Sequence, residues 1–133
     1  MSKCKYPHLF TPITLANTVF RNRIFASPTG YQNVNGDGFV NEAIGATAYY
    51  ERKAMGGAAS VATFEGIVDG ELGKGGSRHI CMDTPNINSN ISRIAYGIKG
   101  YGAVASLELT HAGMFANRDL SFFGATSQGI AYG

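Results

Sequence analysis

Residues 58–66 read AASVATFEG. The run is small and β-branched, and it shows no polar face until Glu65. A strand of that length without a polar face suits a sheet covered on both sides, which is the usual setting of parallel strands. Just upstream, NEAIGATAYYERKAMGG (41–57) sets Ile44, Thr47, Ala48, Glu51 and Met55 at helical spacing. Asn41 is expected as the N-cap and Gly56-Gly57 as the stop. Further upstream, LFTPITLANTVFRNRIFASPTG (9–30) alternates apolar and polar residues, with turn signals at Pro12 and Asn17. It reads as a short hairpin, then a strand from about Arg23 to Ser27 that Pro28 ends. The linking stretch YQNVNGDGFV (31–40) has the turn chemistry of a loop.

Downstream, IVDGELGKGGSRH (67–79) reads as a Gly-rich, flexible loop. A second helix is expected from Asn86 or Ser89 to Lys99, closed by Gly100. AVASLELTH (103–111) follows as a third buried strand, and the pattern weakens into a long loop after Gly113. The order is hairpin, β, α, β, α, β, loop. Alternating β and α units imply an α/β fold whose parallel strands are joined by right-handed crossovers. Functional loops in such sheets gather at the carboxyl ends of the strands. Those ends are SPTG (27–30), FEG (64–66) and ELTHAG (108–113), where the polar oddities of the chain fall.

Composition narrows the classes. The chain has 133 residues, the size of one ordinary domain. Hydrophobic residues make up 44%, enough for a core, while a net charge of +2 excludes the basic surface of a nucleic-acid or membrane binder. The 18 glycines follow no collagen period, so tight turns and close backbone approaches explain them. Cys4 and Cys81 form no C-x-x-C pair, and His8, His79 and His111 have no metal-ligand spacing. No signal-peptide run or membrane-length apolar stretch occurs, so the expectation is a cytoplasmic protein, and the sequon at Asn90 is a chance match. GKGGS (73–77) matches neither phosphate-binding glycine fingerprint, and no G-x-S-x-G elbow is present.

Each strand end has two readings. SPTG could let a flat ring lie across its free backbone groups, or be an ordinary turn. Glu65 could face a ligand, or pair with Arg21 or Arg23; Gly66 lets something approach the backbone closely. Glu108 shares a strand side with Ser106 and Thr110, and a carboxylate there could accept hydrogen bonds from ring N–H groups, or be buried against Arg23. His111 could bond a ligand or the loop backbone.

Together the motifs resemble the old yellow enzyme family, the NADH:flavin oxidoreductases. LFTPITLANTVFRNRIFASP resembles the family's opening, DGFVNEAIGATAYYERKAMGGAASVATFEG the helix and strand that follow, and ASLELTHAGM the third-strand motif, usually Gln-Leu-x-His-x-Gly-Arg. The likeness is to the branch holding 2-enoate and 2,4-dienoyl-CoA reductases. It implies the N-terminal portion of a (β/α)8 TIM barrel, with about three βα units and a capping hairpin, in a partial FMN-binding domain over 1–133. It implies reduction of activated C=C bonds, with FMN as cofactor and NAD(P)H as reductant. Ser27, Pro28 and Thr29 would lie along the flavin edge, and Gly66 near the ring's polar edge. Glu108 stands where the family has the Gln that bonds the pyrimidine end, and His111 stands behind it in the same motif.

Two departures follow from the motif. A carboxylate at 108 accepts from flavin N3–H but does not donate unless protonated. Met114 replaces the usual Arg. A whole barrel takes roughly 250 residues, so the chain is expected to be a fragment that is inactive alone, with its substrate-binding and phosphate-binding groups further along. An iron–sulfur cluster and FAD would belong to a longer parent. The expected partner is a small unsaturated molecule, with no nucleic acid and no membrane. An open strand edge would also favour a homo-oligomer. The competing readings are a non-catalytic associating half-barrel and a small α/β nucleotide-binding module.

Overall fold

The computed structural model describes residues 4–30, 43–75, 80–85 and 87–116. Strands β1 (Ile13–Leu15) and β2 (Thr18–Phe20) form the expected antiparallel hairpin. Its turn places Ala16 at φ 49°, a left-handed backbone that non-glycine residues seldom adopt. Next come β3 (Phe25–Ala26), α1 (Ala43–Met55) and β4 (Ser60–Ala62), then α2 (Ile87–Gly100) and β7 (Val104–Ser106). Strands β3, β4 and β7 form a parallel sheet in that order, with Phe25 opposite Ser60 and Ser60 opposite Val104. This is the β-α-β-α-β order that the sequence implies. The expected N-cap Asn41, the 31–40 loop and the stretch from 117 onward lie outside the described residues.

Three expectations change. The expected loop at 67–79 is flanked by strands: β5 (Gly66–Ile67), β6 (Ile80–Cys81) and β8 (Leu109–Thr110) make a second small parallel sheet in the order β6-β5-β8, and only Ile67 of that stretch belongs to it among the described residues. Each of the second and third expected strands is also interrupted. Ala62 faces Ser106 but Gly66 faces Leu109, so residues 63–65 oppose only 107–108. That is the geometry of a bulge, which shifts side-chain alternation by one. Finally, 103–111 is not a buried strand: Val104 and Ala105 are half-buried, and Ser106 is exposed. β7 has a sheet neighbour on one side only among the described residues. A cavity of about 100 Å³, lined by Thr63, Ile91, Ile98, Ala105 and Leu107, opens beside it.

The core forms where the helices meet the sheet. Ile87, Ile94 and Ile98 of α2 are buried at helical spacing, with Ile91 packed beside them. They close on Val61, Ile80 and the fully buried Tyr50 of α1. Gly97 lets the two helices approach, because a Cβ there would sit 3.0 Å from Thr47 Cγ2.

At the opposite end of the strands from SPTG and ELTHAG, Arg21 donates to the carbonyls of Ala54, Ala58 and Tyr101. One guanidinium thus closes the last turn of α1, the entry to β4 and the exit of α2. Beside it, buried Asn22 donates to the Gly57 carbonyl at 2.7 Å and accepts from the Ile24 N–H at 2.9 Å. Gly57 (φ 99°) and Gly102 (φ 72°) make the left-handed turns into β4 and β7.

Candidate functional site

Parallel pairing brings the carboxyl ends of β3, β4 and β7 to one side of the sheet. Ser27, Pro28 and Thr29 follow β3 directly, and all three are exposed. The Thr29 hydroxyl donates to the Ser27 carbonyl at 3.0 Å, and Lys53 Nζ donates to that hydroxyl. The Tyr50 hydroxyl donates to the Thr29 carbonyl at 3.1 Å and accepts from the Phe64 N–H at 3.0 Å. The turn after β3 is therefore held by helix α1.

Gly66 is buried, and its N–H donates to the Glu108 carbonyl at 2.8 Å. A Cβ on it would lie 3.0 Å from Met82 Sδ and 3.2 Å from the Glu108 carbonyl oxygen. The close approach that Gly66 allows is that of Met82 and the neighbouring strand.

Glu108 is exposed, which corrects the expectation of a buried carboxylate. Its backbone pairs with Gly66, and Ser106, two residues earlier on the same strand side, is exposed as well, so the side that alternation gives Glu108 is one the described residues leave uncovered. Arg21 donates to the carbonyls of Ala54, Ala58 and Tyr101, and Arg23 Nε donates to the Thr11 hydroxyl at 3.2 Å. Glu65 is exposed at the end of its strand.

His111 is exposed, and its Nδ1 accepts from the Gly113 N–H at 3.0 Å. In the neutral ring that bond leaves the proton on Nε2, so the free side of the imidazole is a donor. The loop at 69–75 packs behind it: a Cβ on Gly73 would meet the imidazole at 2.8 Å, and the Ala112 N–H donates to the Gly73 carbonyl at 2.8 Å. This part of the glycine-rich stretch is tied down by backbone bonds. Asp69 organises it. The Leu72 N–H, then the Glu71 N–H, bond its carboxylate and outweigh its partial burial, so its pKa lies below the ordinary value.

No group of three or more metal-ligating side chains exists among the described residues. None of the described helices is long and apolar enough to cross a membrane.

Residues 8–128 match the family model described as NADH:flavin oxidoreductase / NADH oxidase family. The chain belongs to that family. It is 29% identical over 108 residues to an NADH oxidase of Thermoanaerobacter brockii, covering 81% of this chain and 16% of that protein. The structure is similar to the old yellow enzyme from Trypanosoma cruzi (TM-score 0.75, 23% identity, 85% of this chain and 29% of that one). It is equally similar to a 2-naphthoyl-CoA reductase (TM-score 0.75, 21% identity, 84% and 17%). The fold is therefore a portion of the barrel of old yellow enzymes: parallel strands, two crossover helices and a capping hairpin.

The donor set fits one edge of a flavin ring. The pyrimidine end of an isoalloxazine presents one N–H donor between two carbonyl acceptors. The exposed Glu108 carboxylate is an acceptor and His111 Nε2–H a donor, both on the third strand's carboxyl end.

Sequence reasoning missed two residues that shape this face, and the role of a third, Arg21, at the other end of the strands. Tyr50 was legible in principle, because it sits three residues after Thr47 and four before Ala54, on the helix face that packs inward, where a phenol needs partners. Met82 carried no signal in the sequence, since its contact with Gly66 depends on the unanticipated strand β6. Arg21 was noted only as an ion-pair partner, and the chain pattern does not say which carbonyls lie within its reach.

Proposed function

We propose that the chain supplies the first strands of an FMN-dependent NAD(P)H oxidoreductase that reduces activated C=C bonds of a small unsaturated substrate. The single observation that carries this is that exposed Glu108 and exposed His111, its Nδ1 occupied by the Gly113 N–H, both stand at the carboxyl end of one strand in a chain of this flavin family. FMN, when bound, supplies the two-electron hydride chemistry. Glu108 accepts from the ring N–H and places negative charge beside it. His111 donates from Nε2, with its tautomer set by the Gly113 N–H. Ser27, Pro28 and Thr29 line the ring edge next to it.

The chain spans 16% of the length of the NADH oxidase it matches. Its described residues hold no loop with the glycine spacing that cradles a phosphate. The reading accordingly places the FMN phosphate and the substrate on further barrel units, and the 133 residues alone are proposed to lack enoate reductase activity. An iron–sulfur cluster and FAD enter only for a longer parent.

The test is Glu108→Gln in the native, FMN-loaded protein, read as the flavin midpoint potential. Removing a carboxylate beside a ring that gains negative charge on reduction should raise the potential, on the order of tens of millivolts. An unchanged or lowered potential would count against Glu108 as a flavin ligand. A second reading, an associating half-barrel without catalysis, is favoured by the pairing of β7 on one side only among the described residues. A native protein that holds no flavin and runs as an oligomer would support it.

A further inference from the structure

We infer that Tyr50 is a positioning residue for the flavin site, acting as a latch between the turn after the first strand and the end of the second; this rests on the flavin reading above. The ladder between β3 and β4 ends at Ala26 opposite Val61. It cannot continue as a ladder through Pro28, which has no N–H. Beyond that point the two strand ends are joined by a side chain. The Tyr50 hydroxyl accepts from the Phe64 N–H at 3.0 Å and donates to the Thr29 carbonyl at 3.1 Å. Both functions of one hydroxyl are thus engaged on two strand ends, and the tyrosine itself is 0% exposed.

A second tie comes from the same helix. Lys53, three residues on, donates to the Thr29 hydroxyl, which in turn donates to the Ser27 carbonyl at 3.0 Å. Its ammonium lies 4.5 Å from the Tyr49 ring centre and 5.4 Å from that of Tyr50, so the aromatic pair holds the cation in place. The polar groups of the Ser27–Thr29 turn are therefore oriented from behind, by α1, while its outer edge stays exposed. Where that edge stands relative to Glu108 depends on the latch.

Core packing alone does not need the hydroxyl, because phenylalanine fills the same space. Phenylalanine at 50 would take the acceptor from the buried Phe64 N–H and release the Thr29 carbonyl to water, so the turn would lose its tie to the end of β4. This separates a positioning role from a purely structural one.

The experiment uses the native FMN-loaded protein and three variants. Tyr50→Phe should stay folded, raise the FMN dissociation constant about five- to thirtyfold, and shift the flavin midpoint potential and visible band. Lys53→Met should move the same readouts in the same direction by less. Tyr96→Phe, on the outer face of α2 at 73% exposed, should change nothing. A Tyr50→Phe protein that melts earlier but keeps wild-type FMN affinity and potential would overturn the inference. If Tyr50→Phe does not fold, Lys53→Met decides, and wild-type affinity and potential in that variant would overturn it too. Absence of FMN from the wild-type protein would show before any substitution, and would sink the flavin reading and this inference together.

Discussion

Replacing Arg21 by Met should cost about 2–4 kcal/mol, and the structure says where the loss arises. The guanidinium donates to three carbonyls. Two belong to Ala54 and Ala58, which are 1% and 5% exposed, so water cannot easily take the place of the lost donor. Each such bond to a charged group is worth about 1–2 kcal/mol once the exposure of Arg21 itself is allowed for. The third carbonyl, on exposed Tyr101, is rehydrated and contributes little. The positive charge also stands at the carboxyl ends of α1 and α2, which adds about 0.3–1 kcal/mol per helix at most. Urea unfolding of the native protein should show a lower midpoint at an unchanged slope. Arg21→Lys should recover no more than one of the three bonds, because an ammonium lacks the planar fork. A loss under about 1 kcal/mol for Arg21→Met, or a Lys variant as stable as the wild type, would refute the three-carbonyl account.

Two other outcomes are expected. Gly66→Ala puts a Cβ 3.0 Å from Met82 Sδ and 3.2 Å from the Glu108 carbonyl. The thioether can swing away and the carbonyl cannot, so a loss of about 1–3 kcal/mol in urea unfolding should be only partly restored by adding Met82→Ala; full restoration would mean that the strand is not the obstacle. For Asp69, the folded pKa lies below the ordinary 3.8, so its contribution is complete above that value and is lost as pH falls through the lowered one. Hydrogen-exchange protection of the Glu71 and Leu72 amides, taken relative to their intrinsic rates, should fall in that acid window and stay constant above it. Asp69→Asn should remove this pH dependence, and steady protection through the window would rule out the carboxylate as the loop's organiser.

The fold was legible because its signals are local. Small β-branched runs at 58–66 and 103–111, bracketing an isoleucine stripe at 87, 91, 94 and 98, suffice to specify strand, helix, strand. The bulge was not legible, since it is a property of a pair: nothing in TFE (63–65) or LE (107–108) says that three residues will face two. Glu108 is a separate case: alternation holds from Ser106 to Glu108, and both are exposed because the described residues leave that strand side uncovered. Strand β6 was missed for a related reason. Ile80–Cys81 is two residues long and exists only because β5 offers it a parallel edge. The candidate site was legible as strand ends and motif, whereas its internal ties, Tyr50 to Thr29 and Phe64 above all, span 21 and 14 residues and have no periodic trace.

Strand β3 explains why those ties exist. It is two residues long, pairs only through Phe25–Ser60 and Ala26–Val61, and has a sheet neighbour on one side only among the described residues. So short a ladder cannot fix the direction in which the chain leaves the sheet. Helix α1 does so at both ends of the strand. On the entry side, Arg21 is bound to the α1 carbonyl of Ala54, and Asn22 to Gly57 just beyond the helix. On the exit side, Thr29 is bound to Tyr50 and Lys53. The helix acts as a rigid ruler about 20 Å long, with the strand tied to it before and after. Packing along that ruler sets how far the exposed turn projects, and the buried face of α1, Ala46, Tyr50 and Ala54, is seated on the same core as α2. Precision at an exposed polar edge thus derives from an apolar interior, through Tyr50 and Lys53, which bond Thr29 from the helix side.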